Sequence, residues 1–144
     1  MIFLDTSALV KRYIDEPGSD SVESIFGSGE ELAVSILAYA EALAALTRRK
    51  KAGDLAANAL KEAVKSLEAD WKRMAVMPLG AHLLPLTKRT INRHNLRGAD
   101  AVHLASAIFL SQSTGNAIVF AASDMELLAA AKKERLTVLD PQEM

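Results

Sequence analysis

The sequence contains no cysteine, which removes thiol nucleophiles, thiolate metal sites and disulfides at once. It also has no long apolar run. The longest stretch without an acidic or basic side chain, Leu104 to Ser123, is broken by Ser111-Gln112-Ser113-Thr114-Gly115-Asn116. It cannot supply the roughly 20 apolar residues of a membrane span. The opening Met1-Ile2-Phe3-Leu4 meets a charge at Asp5, too early for the apolar region of a signal peptide. A cytoplasmic protein is therefore expected. Nor is there a basic surplus: 17 Lys and Arg stand against 18 Asp and Glu, a formal net charge of −1. That balance argues against a nonspecific nucleic-acid binder. No Gly-rich loop follows the first apolar run, so the dinucleotide-binding fingerprint is missing. No low-complexity segment or repeat divides the chain.

What remains is an ordinary globular composition, 50% hydrophobic and 24% charged over 144 residues, predicting one domain over 1–144 with a real core. Short apolar runs at Ile2–Leu4, Leu32–Val34, Ala75–Met77, Ala117–Ala121 and Thr137–Leu139 read as strands. Helical patterns lie between them, at Thr6–Ile14, Asp20–Phe26, Ile36–Lys51, Asp54–Trp71, Ala81–Asn95, Ala99–Ser111 and Asp124–Glu134. Gly53 marks the stop of the third helix, and Pro85 is tolerable in the first turn of the fifth. Continuous rather than alternating apolar strands, separated by helices, predict an α/β fold with a parallel central sheet covered on both faces.

Against that background four acids stand out. Asp5, Glu41, Asp100 and Asp124 each interrupt a stretch that is otherwise apolar or small. Carboxylates are almost never fully buried unless paired, and an ionised one without a partner neutralises or finds a cation. In open α/β sheets ligands bind outside the carboxyl ends of the strands. Asp5 and Asp124 follow strands closely, and Glu41 and Asp100 lie near helix starts, so all four can converge there on one Mg²⁺ or Mn²⁺ held by oxygen.

Each acid also has a plainer explanation. Asp5 precedes Thr6-Ser7-Ala8 and is placed to cap the first helix, for which Thr6 or Ser7 would also serve. Glu41 would be a surface residue on an amphipathic helix, but the expected polar companions at 37, 38, 44 and 45 are Leu, Ala, Ala and Ala. Asp100 suits the dipole of its helix, and His103 shares its face. No second His or Cys stands at ligand spacing, so His103 is not assigned as a metal ligand. Ser123-Asp124-Met125-Glu126 has the form of a capping box, with Ser123 as the cap. Two basic clusters, Arg48-Arg49-Lys50-Lys51 and Lys88, Arg89, Arg93, His94 and Arg97, flank the acids. They read as solvated helix ends or as contacts for a polyanion.

The segment Phe3-Leu4-Asp5-Thr6-Ser7-Ala8-Leu9 resembles the opening of PIN-domain nucleases, in particular VapC-type toxins of toxin–antitoxin pairs. Asp15-Glu16-Pro17-Gly18-Ser19 resembles the turn that follows in them, and Leu96-Arg97-Gly98-Ala99-Asp100-Ala101-Val102-His103-Leu104-Ala105-Ser106-Ala107 is the most specific match. Phe120 to Leu128 and Leu136 to Pro141 resemble the closing part. The resemblance implies a three-layer α/β/α fold and Mg²⁺- or Mn²⁺-dependent endonucleolytic hydrolysis of RNA. By position it makes Asp5, Glu41, Asp100 and Asp124 the acidic quartet, with Ser7 and Ser123 as supporting hydroxyls. Ser123 stands where threonine is more usual, which keeps the hydroxyl. An antitoxin partner and a homodimer are implied as well.

In such a site crowded carboxylates repel and raise a pKa until a cation compensates them. Metal-activated water would then attack a phosphodiester in line. Arg48, Arg49, Arg93 and Arg97 are the candidates for RNA backbone contacts. The rivals are a catalytically silent protein- or RNA-binding module and a phosphatase. The latter would place Asp-x-Asp after the first strand, where this chain has Ser7 as the third residue.

Overall fold

The computed structural model describes residues 1–144. Five strands, β1 (Ile2–Leu4), β2 (Leu32–Ser35), β3 (Ala75–Met77), β4 (Val119–Ala121) and β5 (Thr137–Leu139), form one sheet. Its order is β3-β2-β1-β4-β5 and every pairing is parallel. The helices are α1 (Thr6–Leu9), α2 (Ser19–Gly27), α3 (Leu37–Lys51), α4 (Ala57–Trp71), α5 (Leu84–His94), α6 (Gly98–Thr114) and α7 (Met125–Lys133).

The two-residue period of the strands sorts the core into layers. Phe3, Ala33 and Phe120 face one way and pack with Ala101, Leu104, Ile108 and Leu127 of α6 and α7. Ile2, Leu4, Leu32, Val34 and Ala121 face the other way, against Ala8, Ile25, Ala38, Ala42 and Leu67 of α1 to α4. The expected three-layer α/β/α architecture with a parallel sheet is what forms. Phe3 and Phe120, side by side on adjacent strands, stack at 5.8 Å and 8°. Both are fully buried, and truncating either to alanine would cost about 3–5 kcal/mol. A third cluster of Ile14, Leu46 and Ala63 seals α3 against α4.

Several boundaries differ from those read off the sequence. The helix expected over Thr6–Ile14 is α only to Leu9 and tightens into a 3₁₀ turn at Val10–Arg12, which lets Ile14 reach the α3–α4 seam. Helix α4 starts at Ala57, not Asp54, because Gly53 turns at φ 85° and Asp54 pairs with Arg49 at 3.6 Å instead of capping. Residues Ala81–Leu83 form a 3₁₀ turn before α5, with Pro85 in the first turn of the helix itself. Helix α6 runs on to Thr114, whose hydroxyl donates to the Leu110 carbonyl, and stops at Gly115 with φ 70°. No helix is long and apolar enough to cross a membrane.

The strand order creates one topological switch point. From β1 the chain adds β2 and β3 on one side, then returns to place β4 on the other. The carboxyl ends of β1 and β4 are therefore adjacent, and the loops leaving them diverge to opposite faces. A crevice at that position is where open α/β sheets bind ligands.

Candidate active site

Asp5 is the first residue after β1, and its backbone N–H donates to the carbonyl of Ala121, the last residue of β4. The side chain is buried, 4% exposed. Its Oδ2 accepts from the Ser7 amide at 3.1 Å and from the Ser7 hydroxyl at 2.6 Å. Asp5 is thus the N-cap of α1, in place of Thr6 or Ser7. Capping leaves room for a site role, because the bonds to Ser7 fall on Oδ2 and leave Oδ1 toward His103 at 3.8 Å.

Glu41 lies in the second turn of α3, which leaves the carboxyl end of β2. Its Oε1 accepts from the Thr6 hydroxyl at 2.7 Å and lies 2.5 Å from Nε2 of His103. Oε2 has no partner among the side chains. The hydrogen bond with His103 holds its carboxyl below the ordinary range, against the burial that works the other way, with Thr6 adding to the effect.

Asp100 sits in the first turn of α6, and its side chain makes no hydrogen bond within the chain. Its pKa is raised, first by loss of solvent and then by the charges of Asp5, Asp124 and Glu41, with His103 opposing. Each of the other three acids is therefore felt at Asp100.

Asp124 is exposed and caps α7, its Oδ1 accepting from the Leu127 amide at 3.0 Å. The capping box expected around Ser123 is not what forms: the cap is one residue later. Ser123 instead donates its backbone N–H to the Ser7 hydroxyl at 2.9 Å, and its own hydroxyl reaches Asp140 at 3.4 Å. The Ser123 hydroxyl, expected to support the acids, thus meets Asp140, while its main chain joins Ser7, the partner of Asp5.

A common arrangement emerges. Asp5, Glu41 and Asp124 each tie one oxygen to hydrogen-bond donors, local ones for Asp5 and Asp124 and distant ones for Glu41, and leave the second oxygen unbonded. Asp100 keeps both free. Fixed carboxylates with spare oxygens form a hard, all-oxygen donor set of the kind that takes Mg²⁺ or Mn²⁺. The raised Asp100, shifted first by burial and then by the neighbouring acids, is a carboxyl whose ionised form a cation would favour. The residues fit a divalent cation by donor type and by charge. No three of the Asp, Glu and His side chains form a cluster close enough to hold a metal ion as they stand.

His103 is the residue that sequence reasoning passed over. Its side chain is 1% exposed and lies against Glu41, Asp5 and Thr6. Burial alone would lower its pKa, but the hydrogen bond with Glu41 and the charges of Asp5, Glu41 and Asp100 raise it. Its spacing from Asp100 was the available signal. Thr6, considered only as a helix cap, donates to Glu41.

The four arginines separate into two kinds. Arg49 pairs with Glu16 and with Asp54, each at 3.6 Å, and Arg93 pairs with Glu134 at 3.6 Å. Neither Arg48 nor Arg97 forms an ion pair. Arg97 is the N-cap of α6, three residues before Asp100. Arg48 is seven residues beyond Glu41, about 10 Å along α3.

Comparison with known proteins places this architecture. The PIN domain family matches residues 2–139. Ribonuclease VapC45 of Mycobacterium tuberculosis (strain CDC 1551 / Oshkosh) is 34% identical over 108 residues, 75% of each chain. Ribonuclease VapC46 of Mycobacterium tuberculosis (strain ATCC 25618 / H37Rv) is 31% identical over 140 residues, 97% of each. Among solved structures, a toxin–antitoxin complex from Klebsiella pneumoniae superposes with a TM-score of 0.65 at 12% identity, covering 98% of both chains.

Proposed function

The chain belongs to the PIN-domain family, and from that premise we propose that it is a divalent-metal-dependent endoribonuclease, the toxin of a toxin–antitoxin pair. The observation that carries the proposal is the placement of Asp5 and Asp124 after adjacent parallel strands, with both, and Glu41, acting electrostatically on Asp100. The relatives named as VapC ribonucleases support RNA as the substrate.

Asp5, Glu41, Asp100 and Asp124 would hold Mg²⁺ or Mn²⁺ through their free oxygens. When bound, the cation supplies charge neutralisation and activation of water for in-line attack on phosphorus. The chain's own residues do the positioning. Ser7 fixes Asp5, Thr6 and His103 fix Glu41, and the first turn of α6 presents Asp100. Arg97, unpaired beside that turn, is the best placed cation for a phosphate of the substrate, with Arg48 as a second contact. Arg49 and Arg93 are already committed to carboxylates.

A small antitoxin as partner, a homodimer and a cytoplasmic setting belong to the same proposal. The shared fold with a chain of the Klebsiella toxin–antitoxin complex supports the partner.

The test is cleavage of labelled single-stranded RNA by the purified protein with Mg²⁺, Mn²⁺ or EDTA, beside Asp5→Asn. Metal-dependent cleavage absent from the variant is the expected result. A folded protein that binds Mn²⁺ yet cleaves no RNA would favour the silent binding module instead.

A further inference from the structure

We propose that His103 is a positioning residue which, with Thr6, fixes the Glu41 carboxylate in the orientation that a divalent cation requires. The inference rests on the metal-dependent reading above and concerns one of its ligands. Glu41 has a long side chain on a partly exposed helix face, where nothing in α3 itself restrains it. Two donors from other elements converge on its Oε1, Thr6 from α1 at 2.7 Å and His103 from α6 at 2.5 Å. Their own atoms are 3.3 Å apart, so the carboxylate oxygen sits in a cleft between them.

The chemistry of the ring decides its role. A carboxylate only accepts, so the nitrogen facing Glu41 is the one that carries the proton. A protonated Nε2 has no lone pair to give a metal. The other nitrogen, Nδ1, is buried and has no partner, which is unfavourable for stability. A histidine serving only the core would satisfy both nitrogens or be replaced by an apolar side chain. Here the ring, 1% exposed among the apolar residues of α6, is satisfied only through Nε2, on the side of Glu41 and Thr6. The contact serves the carboxylate, as outer partners do at metal centres.

Two variants of similar size separate this from packing. His103→Leu fills the space without a donor, and His103→Gln restores an N–H. We expect calorimetric titration with Mn²⁺ alone, without RNA, to show an affinity about 10–100-fold weaker for the leucine variant. The glutamine variant should recover most of it. With RNA, the Mn²⁺ concentration for half-maximal cleavage should shift in parallel, while KM for RNA at saturating Mn²⁺ stays unchanged. Wild-type Mn²⁺ affinity in folded His103→Leu would overturn the proposal, as would equal losses in both variants or a wild-type protein that binds no Mn²⁺. If His103→Leu does not fold, Thr6→Val, isosteric and on another helix, removes the second donor, and wild-type affinity there overturns it equally. A wild type that binds Mn²⁺ but cleaves no RNA sinks the ribonuclease reading alone, because the calorimetric comparison still stands.

Discussion

The Ser7 hydroxyl accepts the backbone N–H of Ser123 at 2.9 Å while it donates to Asp5 at 2.6 Å, a bridge between residues 116 apart. One small side chain thus locks the loop after β1 to the loop after β4. It also fixes the acid that leaves the centre of the sheet. Ser7→Ala removes both bonds and leaves the Ser123 N–H unpaired. A loss of about 1–3 kcal/mol is expected from thermal or urea unfolding. Cleavage should fall about 10–100-fold, the range for an outer partner of a metal ligand. Unchanged activity would show that Asp5 needs no such restraint.

Asp100→Asn separates stability from activity. A raised carboxyl pKa means that the folded state holds its proton more tightly than the unfolded state does. Without metal, stability therefore falls as pH rises from the unfolded pKa through the raised folded one. Removing the charge should leave the melting temperature in EDTA at neutral pH equal to or above that of the wild type. Cleavage should drop by more than about 100-fold, beyond the loss of an outer partner. A melting temperature clearly below wild type would contradict the electrostatic reading.

Arginine substitutions should divide by ion pairing. In an Asp5→Asn background, Arg97→Ala should weaken RNA binding and lower the salt slope by about 0.7, the contribution of one phosphate contact on a single strand. Arg93→Ala should leave the slope unchanged, since that side chain is held by Glu134. Fluorescence titrations at several salt concentrations read both. Equal slopes for Asp5→Asn with and without Arg97→Ala would remove Arg97 from the interface.

Glu134 gives the fold an acid-sensitive joint between α5 and α7. Its side chain is 6% exposed and meets Arg89 at 3.0 Å, His94 at 3.1 Å and Arg93 at 3.6 Å. Burial alone would push its pKa up, but the His94 hydrogen bond and the neighbouring positive charges hold it down. The stabilisation is present above the unfolded carboxylate pKa of about 4.3 and is lost as pH falls through the lower folded value. Glu134→Gln should be less stable by about 1–3 kcal/mol at pH 7. That gap should close below about pH 4, as melting curves across the range would show.

Much of this was legible from the chain because it rests on local physics. Apolar runs between helices require a covered parallel sheet, and an acid such as Glu41 without polar neighbours has to be explained by something outside its helix. Less legible was whatever depends on long-range company. Ser123 looked like a cap until the structure gave that task to Asp124 and turned the Ser123 amide toward Ser7. From sequence, His103 is not assigned as a metal ligand and takes no other role, because its partner Glu41 is 62 positions away. Arg93 and Arg97 are alike in sequence, and it takes the approach of Glu134 to show that Arg93 is paired and Arg97 is not.

The strand order has a consequence for synthesis. β1 is the first of the five strands to be made but occupies the middle of the sheet, and its partner β4 is the fourth. A ribosome working from the N-terminus holds Asp5 at an unfinished edge until residues 119–121 emerge, and Asp124 follows only then. A nascent or prematurely terminated chain carries most of the acids but has no cleft to hold them. The crevice between β1 and β4 therefore exists only once the fourth strand has joined the first.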